Sequence, residues 1–201
     1  LVGNLTKEDF TVYEDGKAQT ISRFQRDNDL PLTIGLLIDT SGSMYNVLEL
    51  GKRAAREFFQ KVLREKDLAF LITFASEMEL LQDLTSSQKL LANSLEEVKG
   101  QRPSQVMVQG PVPTTPRGTR LYDAVYLAAE EKLKNEAGRK IIVLLTDGAD
   151  QGSVYKLPEA LKQAHLADTV IYGFFYYERG YYSDEGVLKK MSQETGGRVF
   201  E

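Results

Sequence analysis

At 201 residues, 42% of them hydrophobic, the chain has room for one large domain, or one domain with a small appendage. The net charge of −4, with acids and bases interspersed, excludes the basic block of a nucleic-acid binder, and apolar runs such as Ile141 to Leu145 are too short to cross a bilayer. Cysteine is absent, which removes disulfides, thiolate metal sites and cysteine nucleophiles together and leaves the redox compartment open.

The first residue is Leu1, as expected of a processed or trimmed piece whose export signal would lie upstream. Residues 1–30 read as an N-terminal β-hairpin extension. Two short alternating strands, Phe10 to Tyr13 and Ala18 to Phe24, flank the turn signal Asp15-Gly16, and "QRDNDLP" follows as a linker. Residues 31–201 then alternate strands and helices. Leu32 to Ile38 is a continuous apolar run, as in a strand covered on both faces. Val47, Leu48, Ala54, Ala55, Phe58, Phe59 and Val62 follow a helical period. Leu68 to Ala75 is a second buried strand, and "MELLQDL" its antiparallel hairpin partner. Thr85 and Gln88 stand at capping-box spacing before another helix. Gly100 to Gly118 holds four of the six prolines and reads as a loop. Leu121, Ala124, Val125, Ala128 and Ala129 mark a helix, "KIIVLLTD" a central strand, Leu157 to Leu166 a helix and "TVIYGFFYY" a strand. Ser183 is the expected cap of a last short helix, which Gly196-Gly197 ends before the strand "RVFE".

This order implies an α/β fold: an open, doubly wound, mostly parallel six-stranded sheet with one antiparallel edge strand and helices on both faces. With strand order 3-2-1-4-5-6, the ligand crevice lies between the strand ending at Asp39 and the strand ending at Thr146-Asp147. Oxygen ligands converge there. Asp39, Ser41 and Ser43 share one tight loop, with Gly42 permitting the turn, Asp147 comes from the second strand end, and Thr119 is placed at the N-cap of a helix. Oxygen-only donors select a hard cation, Mg²⁺, Mn²⁺ or Ca²⁺, over zinc or copper. Two carboxylates and three hydroxyls make a poor closed cage. An ion held by them keeps an open position that an external carboxylate can fill, so metal and partner are expected to bind together.

Asp39-Thr40-Ser41-Gly42-Ser43 resembles the D-x-S-x-S motif of von Willebrand factor A domains, and with Thr119 and Asp147 it is similar to that family's metal-ion-dependent adhesion site. The resemblance covers roughly Leu32 to Phe200. Residues 1–30 plus this core also resemble a bacterial group of related proteins, often exported. The resemblance implies a non-catalytic, divalent-cation-dependent protein-binding module for adhesion or assembly. Ser41 and Ser43 would touch the metal, Thr119 directly or through water, and Asp39 and Asp147 mostly through bound waters. The partner would present Asp or Glu. The family usually adds a C-terminal helix after the last strand, and the sequence stops short of one, so a helix-shift mechanism is not carried over.

Competing readings have specific weaknesses. A structural or assembly domain whose cation only stiffens the loops remains the rival. No G-x-G-x-x-G or G-K-[ST] is present, which removes the common nucleotide motifs. A metal-assisted hydrolase is less favoured, because the only histidine, His165, falls at the far end of a helix and no G-x-S-x-G elbow exists. Asp150 reads as a loop or capping residue. Asp123 reads equally as a supporting acceptor or as surface helix charge. "YGFFYYERGYY" holds seven of the nineteen aromatics and reads mainly as core, with Tyr181 and Tyr182 candidates for an interface rim.

Overall fold

The structure, a computed structural model, describes residues 5–24, 30–101, 118–176 and 180–201. It divides into two compact units, Leu1–Leu30 and Pro31–Glu201. In the first, β1 (Val12–Glu14) and β2 (Lys17–Gln19) pair antiparallel around Asp15 and Gly16, whose φ angles of 49° and 75° are those of the turn that fits strand twist. The pairing is shorter than the alternation predicts. It stops at Val12↔Gln19, and beyond it Phe10 and Phe24 meet through their rings at 5.4 Å.

The second unit runs β3 (Leu32–Asp39), α1 (Leu48–Val62), β4 (Leu68–Phe74), β5 (Met78–Thr85), α2 (Gln88–Glu97), α3 (Leu121–Leu127), β6 (Arg139–Thr146), α4 (Leu157–Leu166), β7 (Thr169–Phe175), α5 (Glu185–Glu194) and β8 (Val199–Phe200). The sheet order is β5-β4-β3-β6-β7-β8, parallel except for the β4–β5 edge pair. Strand order therefore reverses between β3 and β6, the switch point anticipated from the alternation of elements.

Both sheet faces are covered, which is why the middles of the central strands are mostly apolar. Leu37, Phe70, Phe74, Ile142, Leu144 and Ile171 face α3, α4 and α5. The alternate residues Ile34, Leu36, Ile38, Leu71, Val143 and Leu145 face α1 and α2. Gly35 has no side chain because the Phe70 ring occupies the space its Cβ would need. Past α3 the chain continues through a π-helical turn, Ala128–Leu133, which keeps Ala128, Ala129 and Leu133 buried. In β7 the aromatics are half-buried rather than sealed on both faces, and Phe174 stacks on Phe200, itself 40% exposed.

Two helix caps differ from expectation. Ser87 caps α2, its Oγ accepting from Leu90 N at 3.3 Å, while Thr85 Oγ1 accepts from Ser87 N. Asp184, not Ser183, caps α5, with Oδ1 accepting from Val187 N at 3.1 Å. In each case two polar residues compete within one or two positions, and backbone direction chooses.

The start of β3 is pinned by Asp67, in the turn before β4. Its carboxylate is fully buried, grips Arg64 at 2.7 and 2.8 Å and accepts from Leu32 N at 2.9 Å. Those hydrogen bonds, led by the Arg64 guanidinium, pull its pKa from 3.8 to about 2.

Candidate metal centre at the strand ends

β3 ends at Asp39, and the chain is kept against β4 for one more residue, because Thr40 N and Thr40 Oγ1 both donate to Phe74 O, at 2.9 and 3.3 Å. It then turns through Gly42–Met44, with Met44 N donating to Ser41 O at 3.0 Å. The β3–β6 register sets Ile38 opposite Leu145, so the next step brings Asp39 beside Thr146.

Four of the five predicted oxygen donors are linked by hydrogen bonds. Asp39, wholly buried, accepts from Ser41 N at 2.9 Å through Oδ1 and from Thr146 Oγ1 at 2.6 Å through Oδ2. Ser41 Oγ lies 3.1 Å from Ser43 Oγ, and Ser43 Oγ donates to Asp147 Oδ2 at 2.5 Å. The other oxygen of Asp147 accepts from Ala149 N at 3.0 Å. Thr119 is buried too, but its hydroxyl forms no hydrogen bond with the other four among the described residues. Its main chain places it: Thr119 O accepts from Gln151 N at 2.9 Å, and the following Arg120 N donates to Ala75 O at 3.0 Å. Arg120, rather than Thr119, occupies the N-cap of α3.

Thr146 was not singled out by sequence reasoning. A threonine closing an apolar run reads as ordinary strand material. Here its hydroxyl donates to Asp39 and accepts from Gly148 N at 3.1 Å, joining the two strand ends. The only available signal was its place in "LLTD", one residue before Asp147.

Burial pushes the Asp39 carboxyl up to about 7, against the pull of its bonds from Ser41 and Thr146, and the nearby Asp147 charge pushes the same way. The partners of both carboxylates are hydroxyls and backbone amides, with no ion pair to a lysine or arginine among the described residues. No group of three or more His, Cys, Asp or Glu is arranged for a metal among the described residues. The donor set is therefore two carboxylates supplemented by hydroxyls. Adjacent buried carboxylates without a counter-charge, in an all-oxygen set, fit a hard divalent cation.

The surrounding acids have other duties. Asp150 Oδ1 accepts from Tyr122 N at 3.2 Å and Ser153 Oγ at 2.5 Å, a capping role at the start of α3. Asp123 is buried, which removes its surface-charge reading. It accepts from Val154 N, Tyr155 N and Arg120 Nε, fastening α3 to the loop after β6. Asp147 O accepts from Asp184 N at 2.9 Å, and Gly148, at φ 78°, lies so close to Asp184 O that a Cβ would collide with it. Tyr181 and Tyr182 are exposed on the segment leading to that contact. His165 is exposed, with Nε2 2.9 Å from Glu194 O. It closes α4 just before β7 begins, at the opposite end of the sheet from Asp39. The proline-rich stretch 102–117 lies outside the described residues.

The family profile of the von Willebrand factor type A domain matches residues 34–149, which span the serine loop, Thr119 and Asp147. The chain belongs to the von Willebrand factor type A domain family. Solved structures agree on the fold. An aerotolerance-related membrane protein from Bacteroides fragilis superposes with a TM-score of 0.65 at 19% identity, over 85% of this chain and 90% of its own. A von Willebrand factor type A protein from Catenulispora acidiphila gives 0.65 at 16% identity, over 85% of this chain and 38% of its own. Proximal thread matrix protein 1 from the mussel byssus gives 0.64 at 18% identity, over 84% of this chain and 41% of its own. A comparison with curated proteins finds no match. Type A domains are in general protein-interaction modules, and that general role applies to this domain; the family is for the most part non-catalytic. Among the described residues no helix is long and apolar enough to cross a membrane.

Proposed function

We propose that this type A domain is a non-catalytic module that binds a protein partner through a divalent cation, Mg²⁺ or in its place Mn²⁺ or Ca²⁺. The supporting observation is the hydrogen-bonded chain Asp39–Ser41–Ser43–Asp147, which includes a fully buried carboxylate without a cationic partner among the described residues. Ser41, Ser43 and Thr119 would hold the ion through their hydroxyls, while Asp39 and Asp147 supply negative charge. Bound there, the cation offers an electrophilic position to an Asp or Glu carboxylate of the partner. Asp39 also braces the serine loop through Ser41 N, and Thr146 fixes the rotamer of Asp39.

Titration calorimetry with Mg²⁺ and Mn²⁺ tests the site. The wild-type domain binds, and Ser41→Ala and Asp39→Ala weaken binding by tenfold or more, the rough scale for a lost ligand or its support. Equal affinities in all three proteins refute the site. The rival, a cation that only stiffens the loops, draws on the same bonds, because they already tie β3 to β6. Partner capture with and without EDTA separates the two: capture that survives chelation favours the rival. A hydrolase reading gains no support from His165, which lies at the other end of the sheet. An exported location belongs to the favoured reading, in keeping with the Bacteroides fragilis neighbour, a membrane protein by its name. Recovery of the protein from the cytosolic fraction of its cell overturns that part.

A further inference from the structure

Beside the serine loop, a cleft of about 910 Å³ opens between the β4–β5 hairpin and the end of α2. Thr40, the residue between Asp39 and Ser41, forms part of its lining, so the cleft borders the loop that carries the proposed ion donors. Thr73 lines it as well and is only 8% exposed. The Thr73 hydroxyl has no hydrogen-bond partner among the described residues, yet it is not sealed off from the cleft. Thr73 pairs with Glu79 across β4–β5, which puts both side chains on one face. Open to the cleft, the hydroxyl can donate to or accept from a group that enters it.

The walls supply a sign. Glu77, Glu79 and Glu97 line the cleft, are exposed and have no ion pair among the described residues, while Lys99 is the one base in the lining. Glu96, also in the lining, is already paired with Arg56. A partner offering only carboxylate to the ion would meet this negative wall beside the serine loop, and the chain as a whole carries −4. Like charges juxtaposed at an interface oppose binding, and a cation in the cleft would reverse that. Lysine and arginine also donate hydrogen bonds, which suits both the carboxylates and the acceptor lone pairs of Thr73 Oγ1.

We propose that this cleft receives a basic segment of the partner, so that the polypeptide recognised here carries lysine or arginine next to the acidic residue that meets the ion. The inference rests on the cation-bridge reading. It identifies the partner class by charge order: one acidic residue, with its bases on the side that runs along β4–β5.

The test is fluorescence anisotropy with three labelled peptides: one aspartate flanked by two lysines, the same peptide with glutamines for the lysines, and the same with asparagine for the aspartate. Each is titrated with Mg²⁺ and with EDTA, against wild type, Glu77→Gln/Glu79→Gln and Thr73→Val. On wild type with Mg²⁺ the lysine peptide binds about fivefold more tightly than the glutamine peptide, the scale of two partly exposed ion pairs, and added salt narrows the gap. The double variant abolishes the gap and Thr73→Val reduces it, while calorimetric Mg²⁺ affinity stays at the wild-type value in both. Equal binding of the lysine and glutamine peptides with Mg²⁺ dependence intact overturns the cleft and leaves the bridge standing. A lysine preference that persists in EDTA and ignores the asparagine change supports the cleft and overturns the bridge. No binding by any of the peptides overturns both.

Discussion

Replacing Asp67 by asparagine removes the negative charge that holds Arg64 and the first residue of β3, while keeping shape and one neutral acceptor for Leu32 N. The wild-type carboxyl titrates at about 2 rather than the ordinary 3.8. At about 1.4 kcal/mol for each tenfold change in proton affinity, that difference contributes about 2 kcal/mol to folding at neutral pH. The folded protein holds this proton more weakly than the unfolded chain does. The contribution is therefore whole above about pH 5, shrinks as pH falls through 3.8, and is gone near pH 1. Urea unfolding of both proteins at pH 7, 4 and 3 measures it. The variant is less stable by about 2 kcal/mol at pH 7, and by about 1 kcal/mol at pH 3. A gap that stays constant between pH 7 and pH 3, or that is absent at pH 7, refutes the assignment of Asp67 as a charged anchor for β3.

Gly148→Ala forces a Cβ against Asp184 O at a φ of 78°, so thermal unfolding falls by an amount corresponding to more than about 2 kcal/mol, and Mg²⁺ affinity measured by calorimetry falls with it. Asp123→Ala strips acceptors from Val154 N, Tyr155 N and Arg120, with an expected loss of about 2–4 kcal/mol in urea, and faster hydrogen exchange at the first turn of α3 than in wild type. Leu133→Ala opens a cavity at a fully buried position and costs about 2–4 kcal/mol, without changing the salt dependence of peptide binding.

The fold was legible because the core strands announce themselves. Leu32 to Ile38, with Thr33 its one polar residue, and Ile141 to Leu145 carry no charge, as burial on both faces demands, and Asp15-Gly16 adopts the positive φ pair that its composition favours. The meeting of Asp39 with Asp147 followed from strand order, because parallel neighbours end at the same rim. What stayed hidden depends on side-chain direction. Thr146 and Leu145 are both unremarkable in a strand, yet one hydroxyl joins the two halves of the site. Asp123 and a surface helix acid look alike until the loop after β6 is laid over α3. Thr85 against Ser87, and Ser183 against Asp184, differ by where the backbone turns, which no periodicity records. Thr119 was expected at a cap, and its place is set instead by carbonyl bonds to Gln151 and through Ala75.

The single wide turn at Ala128–Leu133 acts as a phase correction. Along a strictly 3.6-residue coil, Leu133 would drift around the cylinder from the stripe that Leu121, Ala124 and Val125 begin. The slower rotation of the wide turn returns it to the stripe, and both ends of the segment stay inside. A rod clamped at both ends cannot roll, so the loop that carries Thr119 into α3 starts from a fixed orientation.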